Sequence, residues 1–134
     1  MEKVWTFLVI CTMVIFAPLH LDAQAADFQA EIVDGTQKVQ ITASEYSFSP
    51  DRISVKVNVP VELSVRKEAG FVPHNITLHA PDAGIDFSEA LGSEPVIIKF
   101  TPTKPGEYIF FCNKKLPFSK SHREKGMEGT LVVL

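Results

Sequence analysis

The sequence predicts an all-β domain built as a sandwich or a barrel. Two observations lead to this fold class: apolar and polar residues alternate with a period of two in several short segments, and turn-forming residues separate those segments. In residues 52–57, for example, Ile53, Val55 and Val57 alternate with polar side chains. Such a segment is typical of a strand that is buried on one face. No segment has the pattern of a long amphipathic helix, so many short strands must share one core.

The predicted strands follow one another along the chain with turn residues between them. Ser49-Pro50-Asp51 and Lys104-Pro105-Gly106 are the clearest turns. Helical turns are expected only at Ile85–Leu91 and Lys120–Lys125. The strands are predicted at 28–33, 38–43, 52–57, 60–66, 74–79, 95–101, 106–112 and 128–134.

The first 25 residues have the features of a secretory signal peptide. Lys3 precedes an apolar run over residues 4–19, and Ala23-Gln24-Ala25 provides small residues at a cleavage site before Ala26. An uncleaved membrane anchor is the less favoured alternative, because Pro18 interrupts a run that is already short for a membrane span. We therefore expect an exported protein, periplasmic in a bacterium, with no membrane span after cleavage.

Residues 26–134 remain after cleavage and are expected to form one domain. This length allows a single hydrophobic core but not two. The net charge of the whole chain is −3. Weak acidity of this kind does not favour a nucleic-acid partner, and we expect a monomer.

Cys112 is the only cysteine that follows the predicted leader, because Cys11 lies within it. An exported protein with a single thiol cannot form an internal disulfide, and the thiol is open to damage or intermolecular pairing unless it is buried or bound to a metal. By itself, Cys112 is more simply explained as a small buried hydrophobic residue.

Three further residues supply ligands of the kinds that bind soft or borderline metals: His74, His122 and Met127. One thiolate and two imidazoles in a plane, with a weak axial thioether, favour copper in electron-transfer sites. Taken singly, Met127 would more often be a core residue and His122 a solvated one. It is the combination with Cys112 that predicts a copper site.

The alternation of side chains in strand 74–79 distinguishes two candidate histidines. His74 shares a face with Ile76 and Leu78, whereas His79 lies on the other face. We predict that His74 points inward and that His79 is an ordinary surface residue. Cys112 follows the run Tyr108–Phe111, which is apolar on both faces and predicts a central strand.

Two parts of the chain resemble plastocyanins, members of the cupredoxin family. The segment 68–77, which contains Pro73-His74-Asn75, resembles their first-histidine strand. The segment 105–112, with His122 and residues 126–133, resembles their carboxy-terminal ligand loop and last strand. The resemblance implies a Greek-key β-sandwich with one copper ion per chain. It also implies that His74, Cys112 and His122 are strong ligands, that Met127 is the axial ligand, and that Asn75 hydrogen-bonds the ligand loop.

The sequence departs from this family in the loop between the cysteine and the second histidine. Familiar cupredoxins have only a few residues there, whereas residues 113–121 place nine between Cys112 and His122. Fully extended, nine residues would span about 30 Å, so the loop must fold back on itself. We expect Pro117 to force the bend and the ring of Phe118 to cover the metal or pack on the end of the sandwich.

The same loop region carries an excess of positive charge. Residues 113–128 contain five cationic and two acidic side chains. Lys114, Lys115 and Lys120 could steer an acidic redox partner to the metal end. A solvated loop without a partner remains the alternative.

The function expected from these residues is one-electron transfer by a bound copper ion, between redox protein partners and without enzymatic activity. An enzyme would need an open coordination position, a second metal or a placed acid–base pair, and the sequence indicates none of these. One alternative is a copper-handling or metal-uptake accessory protein of the periplasm. The other is a metal-free β-sandwich that acts as a binding module.

Overall fold

A computed structural model describes residues 27–134, and the signal peptide predicted for residues 1–25 lies outside this part of the chain. The described residues form eleven strands and two short 3₁₀ turns, at Pro81–Ala83 and Arg123–Lys125. No helix among them is long and apolar enough to cross a membrane. The strands are β1 (Phe28–Gln29), β2 (Glu31–Val33), β3 (Thr36–Ser44), β4 (Ser47–Ser49), β5 (Arg52–Val55), β6 (Val61–Lys67), β7 (His74–Ala80), β8 (Ile85–Leu91), β9 (Val96–Phe100), β10 (Gly106–Phe111) and β11 (Glu128–Val133).

The strands are arranged in two mixed sheets, which confirms the predicted all-β Greek-key sandwich. One sheet has the order β1-β5-β11-β10-β7-β8, and the other has the order β2-β3-β6-β9 with β4 paired to β3. Strand β10 lies between β11 and β7, so the apolar run that ends before Cys112 is a central strand as predicted. This topology brings the end of β10 and the starts of β7 and β11 side by side.

The core is formed by the inward-facing residues of the alternating strands. In β3, Val39, Ile41 and Ala43 are at most 2% exposed, and the residues between them face outward. Leu63 and Val65 of β6 face the same core. Alternation with a period of two therefore located the buried face of both strands, as it should for strands that are covered on one side.

Two predictions about secondary structure are wrong. Ile85–Leu91 is not a helical turn but strand β8, which pairs with β7 along its whole length from His74–Leu91 to Ala80–Ile85. It lies at an edge of its sheet, where four of its seven residues are exposed, so its apolar residues are too sparse to signal a strand. The predicted strand 28–33 is two strands, because the chain passes at Ala30 from one sheet to the other.

Candidate metal centre

The four residues predicted as metal ligands lie at one end of the sandwich. His74 is the first residue of β7, and Cys112 directly follows β10. His122 directly precedes the 3₁₀ turn Arg123–Lys125, and Met127 directly precedes β11. The adjacency of β7, β10 and β11 in one sheet is what brings together residues up to 53 positions apart in the sequence.

The sulfur and nitrogen atoms of the three strongest candidate ligands lie close together. The Sγ of Cys112 lies 3.4 Å from the Nδ1 of His122 and 4.0 Å from the Nδ1 of His74, and the two Nδ1 atoms are 3.2 Å apart. A nitrogen ligand lies about 2.1 Å and a sulfur ligand about 2.3 Å from a first-row metal ion such as zinc, so a nitrogen and a sulfur of one site are at most about 4.4 Å apart and two nitrogens at most about 4.2 Å apart. All three distances meet these limits. Among the described residues, this is the one group of three histidine, cysteine or acidic side chains close enough to hold a metal ion.

Backbone hydrogen bonds connect Met127 to both neighbouring ligands. The amide of Met127 donates to the carbonyl of His122 at 2.9 Å, and the amide of Cys112 donates to the carbonyl of Met127 at 3.1 Å. The side chain of Met127 is completely buried. The backbone of Met127 is therefore tied to the residues that carry the imidazole of His122 and the thiol of Cys112.

Asn75 joins the first-histidine strand to the ligand loop. Its side-chain amide donates to Oδ1 of Asn113 at 2.8 Å and to Oγ1 of Thr77 at 3.1 Å, and its Oδ1 accepts the amide of Asn113 at 2.9 Å. Its own backbone amide points to the Sγ of Cys112 at 3.4 Å. Hydrogen bonds of this kind orient metal ligands and tune a bound metal.

The family model for the cupredoxin-like domain matches residues 7–133, almost the whole chain.

The chain belongs to the cupredoxin-like family.

Solved structures with the same fold include copper proteins of different kinds. The metal-binding domain of the Cu(I)-exporting P-type ATPase CopA of Streptococcus pneumoniae, solved with Cu(I), is 24% identical, with 83% of this chain and 98% of that chain covered and a TM-score of 0.62. A copper binding protein solved by NMR in the apo form is 22% identical, with 83% and 100% covered and the same TM-score. Auracyanin A, a blue copper protein from Chloroflexus aurantiacus, is 21% identical, with 75% and 100% covered and a TM-score of 0.55. A search of curated protein sequences found no match.

Copper is the cofactor of this cupredoxin, and His74, Cys112, His122 and Met127 are clustered as its possible site. The donor set fits copper, because one thiolate and two imidazoles with a weak thioether are the ligands that blue copper sites use.

The long loop of this cupredoxin folds back on itself as a small hairpin. Lys115 pairs with Ser121 across the loop, and the amide of Ser119 donates to the carbonyl of Leu116 at 3.2 Å to close a turn with Pro117 and Phe118 at its centre. Past this hairpin, the amide of His122 donates to the carbonyl of Lys114 at 2.8 Å. The additional residues therefore project outward while His122 returns to a position close to Cys112.

The expectation for Phe118 is wrong. Its side chain is fully exposed, so it neither covers the metal centre nor packs on the sandwich. Phe118 occupies the third position of the turn with a φ of 57°, in the left-handed region. Proline at the second position and a left-handed third residue are typical of a type II turn, which accounts for the bend at Pro117.

Tyr46 provides the cover over the second histidine instead. Its ring meets the His122 ring edge-on, with 5.0 Å between centroids and 76° between planes, and the Nζ of Lys125 lies 4.2 Å from the centre of the Tyr46 ring. Tyr46 lies in the tight connection between β3 and β4, in the other sheet. Sequence reasoning missed Tyr46 because no motif relates this turn to a ligand loop 76 residues later.

Burial, and to a smaller extent nearby positive charge, favours the neutral form of both imidazoles. Burial lowers the pKa of His74 below its usual 6.5, with smaller contributions from His122 and Lys67. Burial also lowers the pKa of His122, and Lys125 contributes. Since only a neutral imidazole can bind a metal through nitrogen, these shifts favour the ligating form at neutral pH.

Proposed function

We propose that this cupredoxin is an exported one-electron carrier that uses one copper ion held by His74, Cys112 and His122, with Met127 as the weak axial ligand. Bound copper supplies a Cu⁺/Cu²⁺ couple. The observation that carries the proposal is that all four ligands are at least 95% buried, on strand ends and a loop that are hydrogen-bonded to one another.

A rigid site suits electron transfer because the ligands should not rearrange when the charge of the metal changes. Cys112 is held by the hydrogen bond that its backbone amide donates to the carbonyl of Met127, and its sulfur accepts a hydrogen bond from the backbone amide of Asn75. Asn75 in turn binds Asn113, the first residue of the ligand loop. Supporting contacts of this kind fix ligand positions in both oxidation states. We propose no substrate and no catalytic residue.

The copper-binding part of the proposal is tested by adding cupric ion to the purified mature protein and recording visible and electron-paramagnetic-resonance spectra. We expect an intense visible band from thiolate-to-copper charge transfer, with one copper bound per chain. Cys112→Ser should remove the band, because a hydroxyl cannot supply this transition. If the serine variant keeps the colour, the copper is bound elsewhere.

The hairpin of the long loop is the proposed docking surface for an acidic redox partner. Lys115 and Lys120 are exposed on it, and Lys114 is partly exposed. Glu124 lies close enough to Lys115 and Lys120 for their charge to lower its pKa, although its hydrogen bonds from Ser121 are the larger cause. We expect the rate of association with the partner to fall with added salt and to fall again when the three lysines are changed to glutamine. The copper spectrum should survive these changes.

Copper handling is the second candidate function. It is favoured by the fold shared with the metal-binding domain of the Cu(I)-exporting ATPase, with a TM-score of 0.62. The two functions differ in what happens on reduction. A carrier should give fast and reversible voltammetry and keep its copper in the presence of a Cu(I) chelator, whereas a handling protein should release the copper once it is reduced.

A further inference from the structure

The two imidazoles of the metal centre differ in their access to solvent. His122 has no exposed surface, its Nε2 is buried without a hydrogen-bond partner, and Tyr46 lies over its ring. His74 is 5% exposed and forms part of the lining of a surface cleft of about 230 Å³. The opening toward the metal centre is therefore on the His74 side.

Two chain segments form this cleft and are tied together at its base. Residues 43–45, at the end of β3, form one wall, and residues 67–70 with Val72, before β7, form the other. The amide of Glu68 donates to the carbonyl of Ala43 at 2.9 Å, which holds the two segments at a fixed separation. The two walls of the cleft are thus connected by a backbone hydrogen bond and are not independent loops.

Three charged side chains lie in the lining of this cleft. Glu45 and Glu68 are exposed carboxylates. Lys67 is the single cation, and its Nζ donates to the carbonyl of Gly70 at 2.5 Å. Lys67 and His74 lie in the same lining. The outer part of the cleft therefore attracts cations, whereas Lys67 opposes their approach to His74.

We propose that copper ions reach the metal centre through this cleft, drawn in by Glu45 and Glu68 and bound first by His74. This inference rests on the proposed copper site, because it assigns the route by which that site is filled. Carboxylate oxygens bind cupric ion weakly compared with imidazole and thiolate, so they can concentrate the ion and then release it to the deeper ligands. An excess of negative charge in a cleft increases the association rate of a cation, and this lining has two carboxylates against one ammonium group.

The test is the rate at which the apoprotein, with its thiol reduced, takes up cupric ion. Stopped-flow absorbance follows the appearance of the thiolate-to-copper band after mixing at low ionic strength. The double variant Glu45→Gln, Glu68→Gln should load about tenfold more slowly than the original protein, with a weaker dependence on salt. Lys67→Gln should load faster. Ala69→Trp, which places a bulky side chain in the cleft without changing its charge, should also load more slowly.

Glu89→Gln is the matched control, since it removes one exposed carboxylate from β8 outside the lining of the cleft. It should load at the original rate. Loading of all the cleft variants at the rate of the original protein would overturn the proposal. If Tyr46→Ala also loaded faster than the original protein, the route would lie beside His122. Unfolding midpoints of the apoproteins, measured alongside, should agree among the surface variants.

The experiments distinguish a failure of the proposed route from a failure of the proposed copper site. If cupric ion never produces the thiolate band in the original protein, the copper site itself fails. If the band forms and the voltammetry is reversible, but loading does not depend on Glu45, Glu68 or Ala69, only the proposed route fails.

Discussion

Replacing Asn75 by alanine tests whether the ligand loop depends on a single side chain. Three side-chain hydrogen bonds of Asn75 would be lost, two to Asn113 and one to Thr77. Asn75 is 6% exposed, so water cannot fully replace it. A hydrogen bond contributes about 0.5–1.5 kcal/mol net, which gives an expected loss of about 1.5–4.5 kcal/mol in the free energy of unfolding.

Asn113→Ala is the matched variant, because it removes only one of these three bonds. The backbone amide of Asn113 can still donate to Oδ1 of Asn75, so we expect a loss of about 0.5–1.5 kcal/mol. In a double-mutant cycle, the two substitutions should be non-additive, because they share the bond between the two side chains.

The assay is urea unfolding of the apoproteins, followed by circular dichroism. The urea concentration at the midpoint should fall in the order original protein, Asn113→Ala, Asn75→Ala. The slope of the free energy of unfolding against urea concentration should be the same in all three. A second measurement, the rate of copper transfer to a chelator, should rise in the same order because the ligand loop is less firmly held. A loss below about 0.5 kcal/mol in Asn75→Ala would refute the reasoning, since it would mean that the three bonds contribute no net stability.

Three other changes address the ligands directly. His74→Ala should abolish high-affinity copper binding, whereas His79→Ala should leave the visible spectrum unchanged because the His79 side chain is 73% exposed. An equal loss of copper affinity in the two variants, measured by isothermal titration, would contradict this assignment. Met127→Leu should keep the copper and the colour but shift the reduction potential measured by voltammetry, since an axial thioether tunes the metal more than it holds it; complete loss of copper would argue against an axial role. The free energy of unfolding of the apoprotein should fall as the pH drops below about 6.5, because the pKa values of His74 and His122 are lowered on folding and the unfolded chain binds more protons. Urea unfolding at pH 7.5 and 5.0 checks this, and a stability unchanged between these values would contradict it.

The alternation of apolar residues was sufficient to predict most strands, because a strand covered on one face must repeat with a period of two. It failed for β8, an edge strand with little burial, and at Ala30, where the chain changes sheets. Both failures have the same physical origin, since the strand pairing that creates these elements is a tertiary contact that no local pattern records. The orientation of His74 and His79, in contrast, followed from the alternation of side chains along the strand alone. It agrees with the burial of His74 and the exposure of His79.

The sequence by itself determined the chemistry of the candidate site. A lone cysteine, two histidines and a methionine can be recognised by residue type, because metal preference follows from the ligand atoms. The strand that carries His74 and the inward direction of that residue were also available from the sequence.

Only the tertiary structure decided how those ligands are enclosed. The nine-residue loop was expected to cover the metal centre with Phe118, but it turns outward, and Tyr46 from the other sheet covers His122 instead. The cleft beside His74 likewise combines the end of β3 with the segment before β7. Contacts between residues far apart in the chain depend on how the two sheets pack together, and this packing is set by the whole core and not by any one segment.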